Sequence, residues 1–153
     1  GYFKEKFNLV NSGNIITDAV FNQYKELCDK DNIEFEISGK LPENFNMAET
    51  DLCVLFSNLM SNAYEAAVQC EKDSSIIRTQ IRNNDDDVFI KLSNSVNGEV
   101  VFKNGLPVTD KPDRKNHGFG VENILEVVER NGGYVEWKQS DKGRFTAEII
   151  LNA

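Results

Sequence analysis

The chain is poor in the residues that would mark several common functions. It has three cysteines, an odd number with no Cys-x-x-Cys pair, which argues against a disulfide frame or a zinc site. Cys28, Cys53 and Cys70 fall in apolar, helix-like segments and read as reduced core residues in a reducing compartment. There is no basic excess. Seventeen lysines and arginines face 25 aspartates and glutamates, for a net charge of −8, and a surface built to track nucleic-acid phosphates would leave the opposite balance. No apolar run approaches the ~20 residues that span a bilayer, and no signal peptide is visible at the start, so direct membrane contact by this domain is not expected. Gly-x-x-x-x-Gly-Lys-Ser/Thr is missing, which excludes a P-loop. The Gly-x-Gly turn at 118–120 lacks the third glycine and preceding strand of a dinucleotide fingerprint, which excludes a Rossmann site. Histidine occurs once, at position 117.

What remains is an ordinary globular composition. The 153 residues, 40% hydrophobic and 27% charged, suit one domain with its own core. Residues 1–13 are polar and mixed and read as a connector from upstream helices, with the domain proper at 14–153. Ile16, Val20, Tyr24 and Leu27 recur at helical spacing between about Asn14 and Lys30. Ile33, Phe35 and Ile37 alternate with Glu34 and Glu36, the pattern of a half-buried strand. Thr50 or Asp51 is placed to cap a second helix running to about Gln69. Strands follow near 76–82 and 88–93, joined by the turn cluster Asn83-Asn-Asp-Asp-Asp87, which reads as a solvated turn and not a metal site. The stretch from 95 to 117 holds Gly98, Gly105, Pro107 and Pro112 with little periodicity. It reads as a long lid-like loop. Val121, Ile124, Leu125 and Val128 mark a third helix, stopped by Gly132-Gly133, and a hairpin over 134–139 and 144–151 closes the chain. Runs of strands with isolated helices predict an α+β two-layer sandwich: a mixed sheet of about five strands with about three helices on one face. Phe21, Phe35, Phe56, Phe89, Phe145 and Trp137 fit core or strand positions.

Three places could carry chemistry. The run Leu55-Phe-Ser-Asn-Leu-Met-Ser-Asn-Ala-Tyr-Glu-Ala-Ala67 sets Asn58, Asn62 and Glu65 at i, i+4 and i+7, a polar stripe beside the apolar stripe Leu55, Leu59, Ala63, Ala66. Asparagine is a poor helix former, and its amide oxygen is a hard neutral ligand suited to Mg²⁺ beside phosphates. Read alone, however, two such asparagines mark a solvated face more often than a site. Leu92-Ser93-Asn94-Ser95 stands where a strand enters the long loop, with a turn role as the simpler reading. His117-Gly118-Phe119-Gly120 opens a helix, where glycines allow close backbone approach and the helix N-terminus favours phosphate.

Together these stretches resemble the ATP-binding catalytic domain of sensor histidine kinases, within the gyrase/Hsp90/histidine-kinase/MutL superfamily. Asn58-Leu-Met-Ser-Asn62-Ala-Tyr-Glu-Ala66 is similar to the N box, and Gly118-Phe-Gly120 to the second glycine box. His117, the Glu and Ala after Asn62, Gly13-Asn14-Ile-Ile-Thr-Asp18 and Asn32-Ile-Glu-Phe35 resemble the peptide- and quorum-sensing kinases in particular. The resemblance covers about residues 11–151. It implies a Bergerat-type sandwich with a long ATP lid over about 95–117, and ATP and Mg²⁺ as cofactors. It implies Asn62 as metal ligand, Asn58 supporting the phosphates or the metal's waters, and Asn94 at the place of the adenine-reading Asp. Gly118 and Gly120 would close backbone over the phosphates; Glu65, Ala66 and Phe119 would border the nucleotide; Lys111, Lys115 and His117, and more loosely Arg114, would reach the triphosphate from the lid.

Two departures are visible. Asn94-Ser-Val-Asn-Gly98 is not Asp-x-Gly-x-Gly, and Glu65 stands where many histidine kinases carry a basic residue. ATP-hydrolysing relatives have a Glu general base at position 58, whereas Asn cannot accept a proton at neutral pH, which favours phosphoryl donation over hydrolysis. His117 sits beside glycines in a loop, so the acceptor histidine is expected on a separate dimerisation domain. The resemblance further implies a homodimeric parent protein, cytoplasmic placement of this domain in a membrane-bound bacterial sensor, and a response regulator downstream. A nucleotide-binding switch without catalysis is the alternative, and an anti-sigma-type Ser/Thr kinase a third.

Overall fold

The computed structural model describes residues 9–71, 73–108, 119–140 and 143–153, the Phe119 side chain excepted. Helix α1 (Ile15–Lys30) starts where the sequence places it, because the Asn14 side chain accepts hydrogen bonds from the backbone N–H of Ile16 and Thr17 at 2.9 and 3.0 Å. Strand β1 (Glu34–Ser38) follows, then α2 (Glu49–Ala67), β2 (Ile76–Asn83) and β3 (Asp87–Ser95). Next come a short hairpin of β4 (Val101–Lys103) and β5 (Leu106–Val108), helix α3 (Phe119–Arg130), and strands β6 (Tyr134–Ser140) and β7 (Arg144–Asn152). Residues 10–13 are bound into the domain: the Val10 N–H donates to Asn22 Oδ1 at 2.8 Å, the Ser12 N–H to Asp18 Oδ1 at 2.6 Å, and Ser12 itself is buried.

The sheet order is β1-β2-β3-β7-β6, with β1 parallel to β2 and every other pair antiparallel. A parallel pair needs a crossover, and α2 supplies it. Among the described residues the sheet is thus mixed, with three helices on one face, as the sequence predicts. Alternation decides which face. Val88, Ile90 and Leu92 on β3, and Ala147, Ile149 and Leu151 on β7, are buried toward the helices. Between them Phe89 and Ile150 look out, beside ion pairs such as Arg78 with Glu36 (2.6 Å) and Lys138 with Glu148 (2.9 Å). Helix α2 lies in the middle of the helical layer, against α1 and α3. Its Phe56 meets Phe21 of α1 at 5.2 Å between ring centroids, and Phe21 meets Phe35 of β1 edge-on at 6.4 Å. Among the described residues no helix is long and apolar enough to cross a membrane.

Three sequence expectations are corrected. Neither Thr50 nor Asp51 caps α2: the N-cap is Ala48, without a side-chain hydrogen bond. The Asp51 carboxylate instead accepts from Arg130 Nη2 at 2.6 Å and Asn131 Nδ2 at 3.0 Å, tying the start of α2 to the end of α3. The long loop is not structureless throughout, since β3 continues to Ser95 and the β4–β5 hairpin occupies its middle. Of the cysteines only Cys28 is a core residue; burial, then the nearby Asp29 and Asp31 charges, push its thiol up to about 12. Cys53 is exposed on α2, and Cys70 is half-buried beyond its end. Phe89, expected at a core or strand position, is a strand residue on the open face of the sheet.

The Asp51 pair has a pH signature. Hydrogen bonds from Arg130 and then Asn131 hold its carboxyl below the ordinary carboxylate range. A carboxyl depressed in the folded state stabilises above its unfolded pKa, and that contribution is lost as pH falls through the folded value. The Asp51→Asn variant is therefore expected to lose stability at neutral pH and to show a shallower decline on acidification. Melting curves from neutral to acid pH that run parallel to wild type would contradict this.

Candidate functional site

The polar stripe on α2 does not act as a unit. Asn58 Nδ2 donates back to the Val54 carbonyl at 2.6 Å, the i−4 bond through which short polar side chains are tolerated in helices. Asn62 is four residues on and half-buried. Helix α3 then approaches so closely that a Cβ added at Gly120 would stand 2.9 Å from Asn62 Oδ1, 3.3 Å from its Nδ2 and 3.5 Å from Asn58 Oδ1. A side chain at 120 would occupy the space the two amides use. The two stretches singled out in the sequence, 62 residues apart between Asn58 and Gly120, therefore meet.

Beside this junction lies a cavity of about 470 Å³, within the range of small-molecule sites. Asn62, Ala63 and Ala66 of α2 form one wall. Leu92 and Asn94 of β3, Trp137 of β6 and Ala147 of β7 line it from the sheet, and Val121 and Glu122 border it from α3. The remaining side is the β4–β5 hairpin, through Lys103, Asn104 and Leu106. The lining is mostly apolar with a few polar groups, the usual composition of a ligand pocket. Asn94 is 3% exposed, and its Nδ2 donates to the Ser95 carbonyl at 3.0 Å. That uses one of its two amide hydrogens, and an Asn side chain carries a second donor and a carbonyl besides.

Glu65 is half-buried and does not line the cavity. Helix geometry gives the reason: three residues past Asn62 is a rotation of about 60° back around the axis, whereas Ala66 is about 40° forward and faces the cavity. Of the other expected site residues, Asn62, Ala66 and Asn94 line the cavity, while Asn58 and Gly120 stand at the junction beside it. Lys111, Arg114, Lys115, His117 and Gly118 lie outside the described residues, as does the side chain of Phe119. Sequence reasoning missed the hairpin, Glu122, and the contribution of Trp137 and Phe145 to the cavity wall. The hairpin had a signal: Asn104-Gly105, with Val101 and Phe102 shortly before it and Leu106 after it, is a two-residue turn signature, and both residues have positive φ, 55° and 78°.

Residues 47–152 match the family described as the GHKL domain. The chain belongs to the GHKL domain family. It is 26% identical over 99 residues to the sensor histidine kinase DpiB of Escherichia coli (strain K12), an alignment covering 60% of this chain and 18% of that protein. The chain thus covers less than a fifth of that relative's length. Its fold is similar to that of the catalytic domain of the histidine kinase ThkA in a nucleotide-free form, at 18% identity and a TM-score of 0.66 over 90% of each chain. It is also similar to the mycobacterial sensor histidine kinase MprB, at 13% identity and a TM-score of 0.62 over 90% of this chain and 93% of that one. These likenesses establish the sandwich architecture.

Proposed function

We propose that this chain is the ATP-binding, phosphoryl-donating domain of a two-component sensor histidine kinase of the peptide-sensing group. The observation that carries the reading is the close approach of Gly120 to the Asn62 amide, which leaves no room for a Cβ, at the edge of an apolar cavity. The residues present fit a magnesium nucleotide: neutral oxygen ligands, space kept open by the missing Cβ at position 120, and a slot with apolar walls for a purine. Asn62 would hold the metal through its amide oxygen and Asn58 would support the phosphates or the metal's waters. Asn94 would read the base edge. The lid residues Lys111, Lys115 and His117, with Gly118 and Phe119, would close over the phosphates. Bound magnesium supplies charge neutralisation at the phosphates, and the protein's share is positioning and exclusion of water. Asn58 cannot serve as a general base, which supports transfer to an external nucleophile over hydrolysis. That nucleophile would be a histidine on a separate dimerisation domain of a homodimeric parent, with a response regulator downstream. The domain would sit in the cytoplasm, with residues 1–13 leading in from the upstream helices.

The test is Mg²⁺-dependent ATP binding by the purified domain. Asn62→Ala is expected to weaken it by at least about tenfold, the lower end of what even second-shell losses cost a metal site; identical affinities would reject the assigned role. The domain is expected to acquire no label from γ-labelled ATP on its own. Acid-labile phosphohistidine appearing once the upstream helices are supplied would separate a kinase from a nucleotide switch without catalysis.

A further inference from the structure

The cavity's polar lining carries one cation among the described residues, Lys103, and one carboxylate, Glu122. Lys103 ends β4, immediately before the Asn104-Gly105 turn. It forms no ion pair with any described carboxylate. Most other described basic residues that are paired lie away from this cavity: Arg78 on Glu36 and Lys138 on Glu148 across the open sheet face, Arg130 on Asp51 at the far end of α3. An exposed lysine is ordinarily a solvated surface charge. This one differs in being carried by a hairpin that is fastened to the cavity wall.

Three contacts fasten it. Gln139 of β6 grips the incoming chain from both ends of its amide, accepting from the Val100 N–H at 2.7 Å and donating to the Gly98 carbonyl at 2.8 Å. The Phe102 ring meets Phe145 of β7 at 6.1 Å between centroids, and Phe145 itself lines the cavity. Val96 N–H donates to the Gly143 carbonyl at 2.9 Å, anchoring the end of β3 from which the segment departs. Two-residue hairpins of six strand residues have little stability alone, so these contacts are what hold β4 and β5 against the slot. A charge on a braced element costs less to position than one on a free loop.

From this we infer that Lys103 is a phosphate-contacting residue of the nucleotide site, and that the β4–β5 hairpin is the element that presents it. The inference rests on the nucleotide reading given above. A triphosphate keeps net negative charge after one divalent cation is bound, and the asparagines of α2 are neutral, so the described cavity has no other positive side chain to meet it. Lys103 acts by charge at short range, over distances within the ~8 Å Debye length of physiological salt.

Lys103→Met removes the charge and keeps the length of the side chain; Lys103→Arg keeps the charge. Dissociation constants for Mg-ATP and for adenosine, which lacks phosphate, are measured at low and high salt by calorimetry. Lys103→Met is expected to weaken Mg-ATP by roughly three- to tenfold at low salt, with the difference shrinking as salt screens it, and to leave adenosine unchanged. Lys103→Arg is expected to bind both like wild type. Unchanged Mg-ATP affinity in Lys103→Met would overturn the inference, and so would equal weakening of ATP and adenosine, which would make the hairpin a wall only. A wild-type domain that binds neither ligand would overturn the nucleotide reading itself, and this inference with it.

Discussion

Gly39→Ala is expected to destabilise the domain by about 2–5 kcal/mol, the sum of a left-handed backbone penalty of about 1–2 kcal/mol and an overpacking cost of about 1–3 kcal/mol. Gly39 follows β1 directly, at φ +85°, and a Cβ built there would stand 1.8 Å from the Ile81 carbonyl oxygen and 2.8 Å from its carbon. Backbone in a paired strand cannot swing aside as a side-chain end can. Ile81 also pairs with Ile90 in the β2–β3 ladder, so yielding at Ile81 would disturb the sheet's interior. Gly98→Ala provides the comparison: its φ is +84° but nothing lies within 4 Å of the added Cβ. That variant bears the conformational penalty alone. Urea unfolding of both variants separates the terms. Equal losses would mean that the close approach to Ile81 has no energetic consequence.

How much of this molecule was legible in its sequence depended on whether a residue's partner was near in the chain. Asn14 caps α1 through groups only two and three residues away, a partnership within reach of a local rule. Asp51 could not be read correctly, because its partners are Arg130 and Asn131, and a helix start looks the same whether its acid caps the backbone or pairs with a distant arginine. The period-2 alternation of β3 and β7 told which residues share a face, but not where the space behind that face is hollow. The hollow is set by small residues among large ones, Ala63 and Ala66 on one side and Ala147 on the other, with Trp137 and Phe145 between. Each alanine alone reads as core. The β4–β5 hairpin was obscured by its length, three residues a strand, and by Pro107 within β5, which weakens a strand pattern. The meeting of Asn62 with Gly120 was legible only through family resemblance. No local rule brings two helices together across two intervening sheet strands and a hairpin.

Gly120→Ala is expected to weaken Mg-ATP binding by about ten- to hundredfold with no loss of thermal stability. The two halves of that expectation come from the same geometry. Position 120 is helical, so alanine gains up to about 1 kcal/mol of helix propensity over glycine. The atoms its methyl would crowd, Asn62 Oδ1 at 2.9 Å and Nδ2 at 3.3 Å, are the far end of a side chain and can rotate away at little cost to the fold. What the rotation removes is the orientation of the amide proposed to hold the metal, and misplacement by an ångström in a positioned site costs about a hundredfold. A second substitution shows whether this is the route. If Gly120→Ala acts through Asn62, then adding it to Asn62→Ala should change affinity little, because the group it displaces is already gone. Residues that touch and share a task are non-additive in this way, while independent sites add. A full additional loss in the Asn62→Ala background would mean that the Gly120 methyl obstructs the phosphates directly. Wild-type affinity in the single variant would mean that the Asn62 amide has no part in holding the nucleotide.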